Sequence, residues 1–216
     1  MSVRLDDLEA WLLDEHAGTV DPDRLTVVRS ELTRMVGESV AGVVVELGCF
    51  RGAMSVWMRA VLDDAGDTDR EIWVFDSFRG LPEPGEHDSD HLGAGEIATT
   101  VPDFLATHDK WQLRYPVIHE GWFEETLPRA LTQPIAFAYL DGDFYDSILV
   151  SLEHTVPLLS RKGALIIDDY ADVERNPRAW NGLPGVKRAS DHYFGLPSPV
   201  EVVAGTGDLA FGRYRR

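Results

Sequence analysis

The chain has 216 residues, 44% of them hydrophobic and 26% charged, and its 20 basic against 37 acidic residues give a formal net charge of −17. This charge disfavours nucleic acid and anionic membrane surfaces as partners because both would repel the protein, and no apolar run approaches the ~20 residues of a membrane span. A single cysteine, Cys49, excludes an internal disulfide and a thiolate zinc cluster. Acids at Asp6 and Asp7 stand where a signal peptide needs an apolar run, so we expect a cytoplasmic protein.

The first 40 residues predict a helical lead-in. Apolar residues between Leu5 and Leu12 fall at helical spacing, and a second helix is predicted to open after Asp21-Pro22 and to run to about Val36. The length favours one domain, residues 1–216. Within it we expect residues 1–40 to act as lead-in or lid for a core formed by residues 41–216.

A strand, a turn and a helix follow the lead-in, and this pattern repeats. The first strand, 43–47, is β-branched and ends at Gly48, and helical spacing returns over 54–62. Further strands are predicted near 72–75, 117–119, 135–140 and 164–167, with a closing pair near 200–203 and 209–214. Apolar strands that alternate with helices predict an α/β fold with a parallel sheet covered on both faces. The polar, Gly- and Pro-rich stretch 77–100 predicts a long surface loop.

A glycine turn at the end of the first strand is the first candidate site. Glu46 precedes Gly48 and Gly52, and Asp76 ends the second strand 28 positions after Gly48. Glycines let a ligand approach the backbone, and an acid at the tip of the neighbouring strand can accept ribose hydroxyl protons. The spacing is not the dinucleotide Gly-x-Gly-x-x-Gly, and Glu46 would repel a pyrophosphate. The turn therefore favours S-adenosylmethionine, and the alternative is an ordinary tight turn with a surface acid.

Carboxylates at the ends of two later strands form the second candidate site. Asp141 and Asp143 follow the 135–140 strand, and Asp168 and Asp169 follow the 164–167 strand. Like charges held close together raise one another's pKa, which a divalent cation would counteract. Oxygen ligands favour Mg²⁺, Ca²⁺ or Mn²⁺ over Zn²⁺. The alternative is a set of turn residues at strand ends.

Five motifs in this order resemble the class I S-adenosylmethionine-dependent methyltransferases of the macrocin O-methyltransferase (TylF-type) family, which act on sugar hydroxyls of antibiotics. The motifs are VELGCFRG (45–52), FDSFRGLP (75–82), GWFEETLP (121–128), LDGDFYDS (140–147) and DDY (168–170). The resemblance extends from about residue 26 to residue 195. It implies a Rossmann-like class I methyltransferase fold with a mostly parallel seven-stranded sheet, helices on both faces and an antiparallel C-terminal strand.

The resemblance also implies residue roles. Seven residues would bind S-adenosylmethionine: Glu46, Gly48 and Ser55 at its methionine end, Asp76 at its ribose, and Ser77, Gly121 and Trp122 beside its adenine. Four carboxylates would do the chemistry: Asp141, Asp168 and Asp169 as ligands of Mg²⁺, and Asp143 as general base.

The function expected from these features is Mg²⁺-dependent O-methylation of a sugar or polyol hydroxyl in a secondary metabolite of antibiotic biosynthesis. The acceptor would be a small hydroxylated molecule, such as a glycosylated natural product, and the family makes a homo-oligomer plausible. Three alternatives stay open. They are the same chemistry on a catechol-type phenol, a non-catalytic adenosyl-binding module, and a nicotinamide oxidoreductase, which the missing third glycine disfavours.

Overall fold

The computed structural model of the protein describes residues 3–216. Met1 and Ser2, the first residues of the predicted lead-in, lie outside the described residues. The helices are α1 Leu5–Glu15, α2 Pro22–Gly37, α3 Ala53–Asp64, α4 Val101–Trp111, α5 Phe123–Ala130, α6 Tyr145–Thr155 and α7 Pro184–Phe194. The strands are β1 Val43–Leu47, β2 Ile72–Asp76, β3 Val117–Glu120, β4 Ile135–Leu140, β5 Leu159–Ile167, β6 Glu201–Val203 and β7 Phe211–Arg215.

The seven described strands form one sheet in the order β3-β2-β1-β4-β5-β7-β6. The first five in this order pair in parallel, and β7 pairs antiparallel with both β5 and β6. All six residues of β4 are buried, as expected for a central parallel strand covered on both faces. The expected sheet, mostly parallel with antiparallel pairing at the carboxyl-terminal end, is present.

Helices cover both faces of this sheet. One apolar core contains side chains of α1, α2 and α3, such as Leu8, Leu25 and Trp57, and the other contains Leu127 of α5 and Ile148 of α6. The lead-in helices are tied to the core by polar contacts as well, because the Trp57 indole N–H donates to the Leu25 carbonyl at 2.9 Å. The predicted lead-in therefore shares its core with the sheet.

Helix α2 begins where the sequence predicts. The Asp21 carboxylate accepts the backbone N–H of Arg24 at 2.8 Å, and Pro22 occupies the first turn. An N-cap of this kind satisfies a donor that the helix itself leaves unpaired. It also fixes the side chain of Arg24 on the first turn of the helix.

Strand β5 starts five residues earlier than the sequence predicts. Its first part is polar, and its pairing depends on backbone groups: the N–H of Lys162 donates to the Arg216 carbonyl, and the N–H of Arg216 donates to Gly163, both at 3.0 Å. Such pairing leaves no apolar pattern in the sequence. The 77–100 segment contains no helix or strand, as predicted. Within residues 3–216, no helix has the length and apolar character to cross a membrane.

The carboxyl ends of β1, β2, β4 and β5 lie side by side. The N–H of Asp141 donates to Leu47, and the N–H of Asp168 donates to Leu140, both at 2.8 Å. The chain order reverses between β1 and β4, and open α/β sheets bind their ligands in the crevice at such a reversal. Both sequence motifs therefore meet at the edge where a ligand is expected.

Candidate active site

A cavity of about 530 Å³ opens at this edge of the sheet. Nine of the eleven predicted site residues line it: Glu46, Gly48, Asp76, Ser77, Trp122, Asp141, Asp143, Asp168 and Asp169. Three other segments complete the wall, namely residues 17–24, part of the 77–100 loop, and the loop that carries Trp180 and Leu183. Part of the lead-in predicted to act as a lid is thus placed beside the predicted site, and its closing role stays a prediction.

Gly48 allows the glycine turn to touch the acidic strand ends. Its φ is +85°, and a Cβ at this position would lie 1.9 Å from the backbone carbonyl oxygen of Asp141. Only glycine tolerates both the left-handed backbone and this approach. The absence of a side chain therefore brings the two candidate sites into direct contact.

Asp76 organises the glycine turn. One carboxylate oxygen accepts the backbone N–H groups of Cys49 at 2.8 Å and Phe50 at 3.1 Å, and the other accepts the N–H of Phe78 at 2.7 Å. An ionised carboxylate has about four acceptor positions. Asp76 can thus hold the turn in shape and still accept a ligand hydroxyl, as the ribose role requires.

Glu46 is a buried acid with a free acceptor. It is 1% exposed, and its Oε2 has no hydrogen-bond partner among the described residues. Burial, followed by the charge of Asp76, raises the pKa of Glu46 well above its usual range, and the Ser55 hydroxyl acts in the opposite direction. A buried unpaired acceptor at a cavity wall suits a cationic donor. The ammonium group of S-adenosylmethionine fits this requirement.

Ser55 and Gly121 do not line the cavity, although the resemblance implies that both contact the cofactor. Ser55 is fully buried, and its Oγ lies 3.3 Å from Nε2 of His108. Gly121 has a φ of +141° and donates its N–H to the Asp76 carbonyl at 2.9 Å. Their predicted contact with the cofactor stays a prediction; Gly121 directly precedes Trp122, which does line the cavity.

Three carboxylates converge at the acidic end of the cavity. Asp141, Asp143 and Asp169 each offer an oxygen, and these oxygens lie within 4.8 Å of one another. Burial, followed by the charge of Asp168, raises the pKa of all three, and that of Asp143 rises to about 7. A hard divalent cation prefers such oxygen ligands and would relieve their repulsion. The described residues therefore fit a divalent cation.

Asp168 is engaged differently from these three. Both of its carboxylate oxygens accept the Nε of Arg24 at 3.2 Å, one accepts the Asp169 N–H at 2.8 Å, and the other accepts the Tyr139 hydroxyl. The cation set implied by the resemblance contains Asp168, whereas Asp143 lies beside Asp141 and Asp169 here. The identity of the third ligand stays a prediction.

Arg24, Tyr139 and Trp180 are cavity residues that the sequence did not reveal. Arg24 is one arginine among several in an amphipathic helix, and Tyr139 belongs to an apolar strand, so neither breaks a pattern. The ring centroids of Trp180 and His91 lie 5.1 Å apart, and the backbone N–H of Trp180 donates to the Asp208 carbonyl at 2.8 Å. The only sign of Trp180 in the sequence was a tryptophan within an otherwise polar loop.

The chain is similar over most of its length to known O-methyltransferases. The family model of macrocin O-methyltransferase (TylF) matches residues 15–191. The chain belongs to the TylF family. The predicted family is thereby confirmed, and with it the enzyme class, an O-methyltransferase.

Two relatives are named as O-methyltransferases of a tetracenomycin compound and a novobiocin compound. The 8-demethyl-8-(2,3-dimethoxy-alpha-L-rhamnosyl)-tetracenomycin-C 4'-O-methyltransferase of Streptomyces olivaceus is 36% identical over 185 residues, which cover 80% of this chain and 67% of that protein. The demethyldecarbamoylnovobiocin O-methyltransferase of Streptomyces niveus is 32% identical over 171 residues, which cover 74% of this chain and 64% of that protein. This TylF-family chain therefore matches about two thirds of the length of these relatives.

Solved structures show the same fold. The O-methyltransferase NovP superposes with a TM-score of 0.74 at 28% identity, covering 90% of this chain and 79% of its own. The calicheamicin methyltransferase CalS11 superposes with a TM-score of 0.72 at 22% identity, and the match covers 98% of this chain and 90% of CalS11. The predicted class I methyltransferase fold of this TylF-family chain is thus confirmed.

Proposed function

We propose that the protein is an S-adenosylmethionine- and Mg²⁺-dependent O-methyltransferase that methylates a sugar or polyol hydroxyl of an antibiotic-type secondary metabolite. One observation carries this proposal: a single cavity joins the Oε2 oxygen of Glu46, which has no hydrogen-bond partner among the described residues, to the acidic cluster of Asp141, Asp143 and Asp169. The two relatives described above are named for natural-product acceptors, which supports the substrate class.

The cofactor end of the cavity is assigned to residues of the glycine turn and of β2. Glu46 would accept the ammonium group of the bound cofactor, Asp76 its ribose hydroxyls, and Trp122 would pack beside its adenine. S-Adenosylmethionine supplies the electrophilic methyl group when it is bound. A module that only binds the cofactor would have no need of the acidic cluster beside it.

The acidic end is assigned to activation of the acceptor. Asp141 and Asp169 belong to both candidate ligand sets, and we assign the third position to Asp168, which leaves Asp143 as general base. A divalent cation on these ligands supplies Lewis acidity toward the acceptor oxygen. Asp143 takes the hydroxyl proton, a task suited to a carboxylate whose pKa is raised to about 7.

Two loops would exclude water and orient the acceptor. His91 and Trp180 both line the cavity, and their ring centroids lie 5.1 Å apart. A flat indole face suits a sugar ring or an aromatic aglycone. Holding the hydroxyl in line with the methyl group in a closed site accounts for part of the expected rate.

The test begins with calorimetric titration of S-adenosylhomocysteine and, separately, NAD into chelator-treated protein, with and without added Mg²⁺. We expect S-adenosylhomocysteine alone to bind. Methyl transfer is then measured on aryl rhamnosides and on a catechol, and we expect transfer to the rhamnoside only when Mg²⁺ is present. Failure to bind S-adenosylhomocysteine, or transfer that survives the chelator, would contradict the proposal, and a preference for the catechol would replace its acceptor.

A further inference from the structure

Arg24 places a fixed positive charge against the acidic cluster. Its guanidinium reaches Oδ1 of Asp168 at 3.1 Å and Oδ1 of Asp169 at 3.2 Å, and it also pairs with Asp21. The Arg24 side chain is 18% exposed and that of Asp168 is 3% exposed. This contact therefore joins the first turn of α2 to the strand end where the cation is expected.

The contact uses most of the acceptor capacity of Asp168. Its two oxygens already receive Arg24, the Tyr139 hydroxyl and the Asp169 N–H. These donors make four contacts, because the Nε–H of Arg24 reaches both oxygens. A carboxylate has about four acceptor positions, so a cation that approaches Asp168 must displace at least one of these donors. Arg24 is the donor that carries a charge, and two like charges on one carboxylate repel.

Arg24 also faces Asp169, which belongs to both candidate ligand sets. A guanidinium forms forked contacts with carboxylates that a compact ammonium cannot reproduce. The arginine thus partly neutralises the two buried members of the four acids, Asp168 and Asp169, before any cation binds. Removing it would leave these acids repelling one another and open to a cation from solution.

We infer that Arg24 is an internal counterion that competes with the divalent cation for Asp168 and Asp169 and thereby sets the cation affinity of the site. This inference rests on the cation site of the proposed function. Arg24 acts through the acids it contacts and is therefore a positioning residue. It keeps the acidic cluster intact in the empty enzyme at the cost of weaker cation binding.

The direct test is titration of chelator-treated protein with Mn²⁺, with free Mn²⁺ followed by electron paramagnetic resonance. Arg24→Met keeps the apolar stem and removes the charge, so we expect Mn²⁺ to bind at least about tenfold more tightly. Arg24→Lys keeps a positive charge but loses the forked guanidinium contacts, so we expect Mn²⁺ to bind about threefold more tightly than in wild type. The matched control is Arg29→Met, an exposed position on the same helix with the same change in net charge, which should leave the affinity unchanged.

A second readout is thermal unfolding. Arg24→Met should unfold at a lower temperature than wild type in chelator, and added Mg²⁺ should raise its midpoint more than that of wild type. If Arg24→Met does not fold in chelator, the Mn²⁺ affinity of Arg24→Lys decides the matter. Unchanged or weaker Mn²⁺ binding in both Arg24 variants, or no Mn²⁺ binding in any protein, would overturn the inference.

The two proposals fail in different ways. Tighter Mn²⁺ binding by Arg24→Met without methyl transfer to any acceptor would preserve the inference and contradict the proposed function. Metal-dependent methyl transfer with an unchanged Mn²⁺ affinity in the Arg24 variants would support the proposed function and overturn the inference about Arg24.

Discussion

The Asp88 carboxylate accepts the backbone N–H of Tyr145 at 2.8 Å and so caps helix α6 from a loop 57 residues earlier in the chain. Phe144, which precedes the helix, provides no side-chain cap. The same carboxylate accepts the N–H of Gly85 at 2.8 Å, and a Cβ at Gly185 would lie 2.0 Å from it. The long loop is therefore fastened to α6, directly after the acidic turn of β4.

Asp88→Ala should release this loop. We expect a loss of about 1 kcal/mol in unfolding free energy, typical of a lost helix cap, and faster cleavage within residues 77–100 by limited proteolysis. Gly185→Ala should have the same effect from the opposite side, because the added methyl group displaces Asp88. The exposed Asp90→Ala is the control, and equal protease resistance in all three variants would contradict a fastening role.

Asp143→Asn tests the general base. The amide keeps the shape of the side chain but cannot take the hydroxyl proton, so we expect turnover to fall by about 10²- to 10⁴-fold with the affinity for S-adenosylhomocysteine nearly unchanged. Asp146→Asn, an exposed acid three residues later, should behave as wild type. Turnover retained in Asp143→Asn would remove this residue from the role.

Glu46→Gln separates the charge of this buried acid from its shape. We expect S-adenosylhomocysteine to bind about tenfold or more weakly, because a hydrogen bond to a charged group contributes about 1.5–3 kcal/mol. Stability should be equal to or greater than that of wild type, since an unpaired buried charge is costly. The comparison is Glu124→Gln, at an exposed acid that also lines the cavity. Equal affinity in both variants would place the ammonium group elsewhere.

His108 makes stability depend on pH. Burial lowers its pKa to about 4 in the folded protein, whereas an unfolded histidine titrates near 6.5. Between these values the unfolded chain binds more protons, so stability decreases as pH falls from about 6.5 toward 4. From pH 7 to pH 5 this one residue should cost about 2 kcal/mol. Urea unfolding at both pH values should show that loss reduced in His108→Gln, and an equal loss in both proteins would refute the assignment.

The succession of strands and helices along the chain and the location of the candidate site could be predicted from the sequence, because apolar periodicity and strand-end residues are local signals. The start of β5 could not be predicted, because it depends on backbone pairing with Arg216. Asp168 was recognisable as an acid at a strand end, but its pairing with Arg24 crosses 144 positions and leaves no pattern in either segment. Ser55 falls in the helix that the sequence predicts, yet its complete burial depends on how α3 packs against the sheet.

Gly48 also bears on how this enzyme could be altered by design. Because its missing side chain lets the glycine turn rest on Asp141, the cofactor end and the acidic end cannot be moved apart without rebuilding both strand ends. His91 and Trp180 line the same cavity from two other loops, outside both strand ends. Libraries that vary those loops can therefore explore new acceptors while the glycine turn and the acidic strand ends, which would carry the methyl-transfer chemistry, stay unchanged.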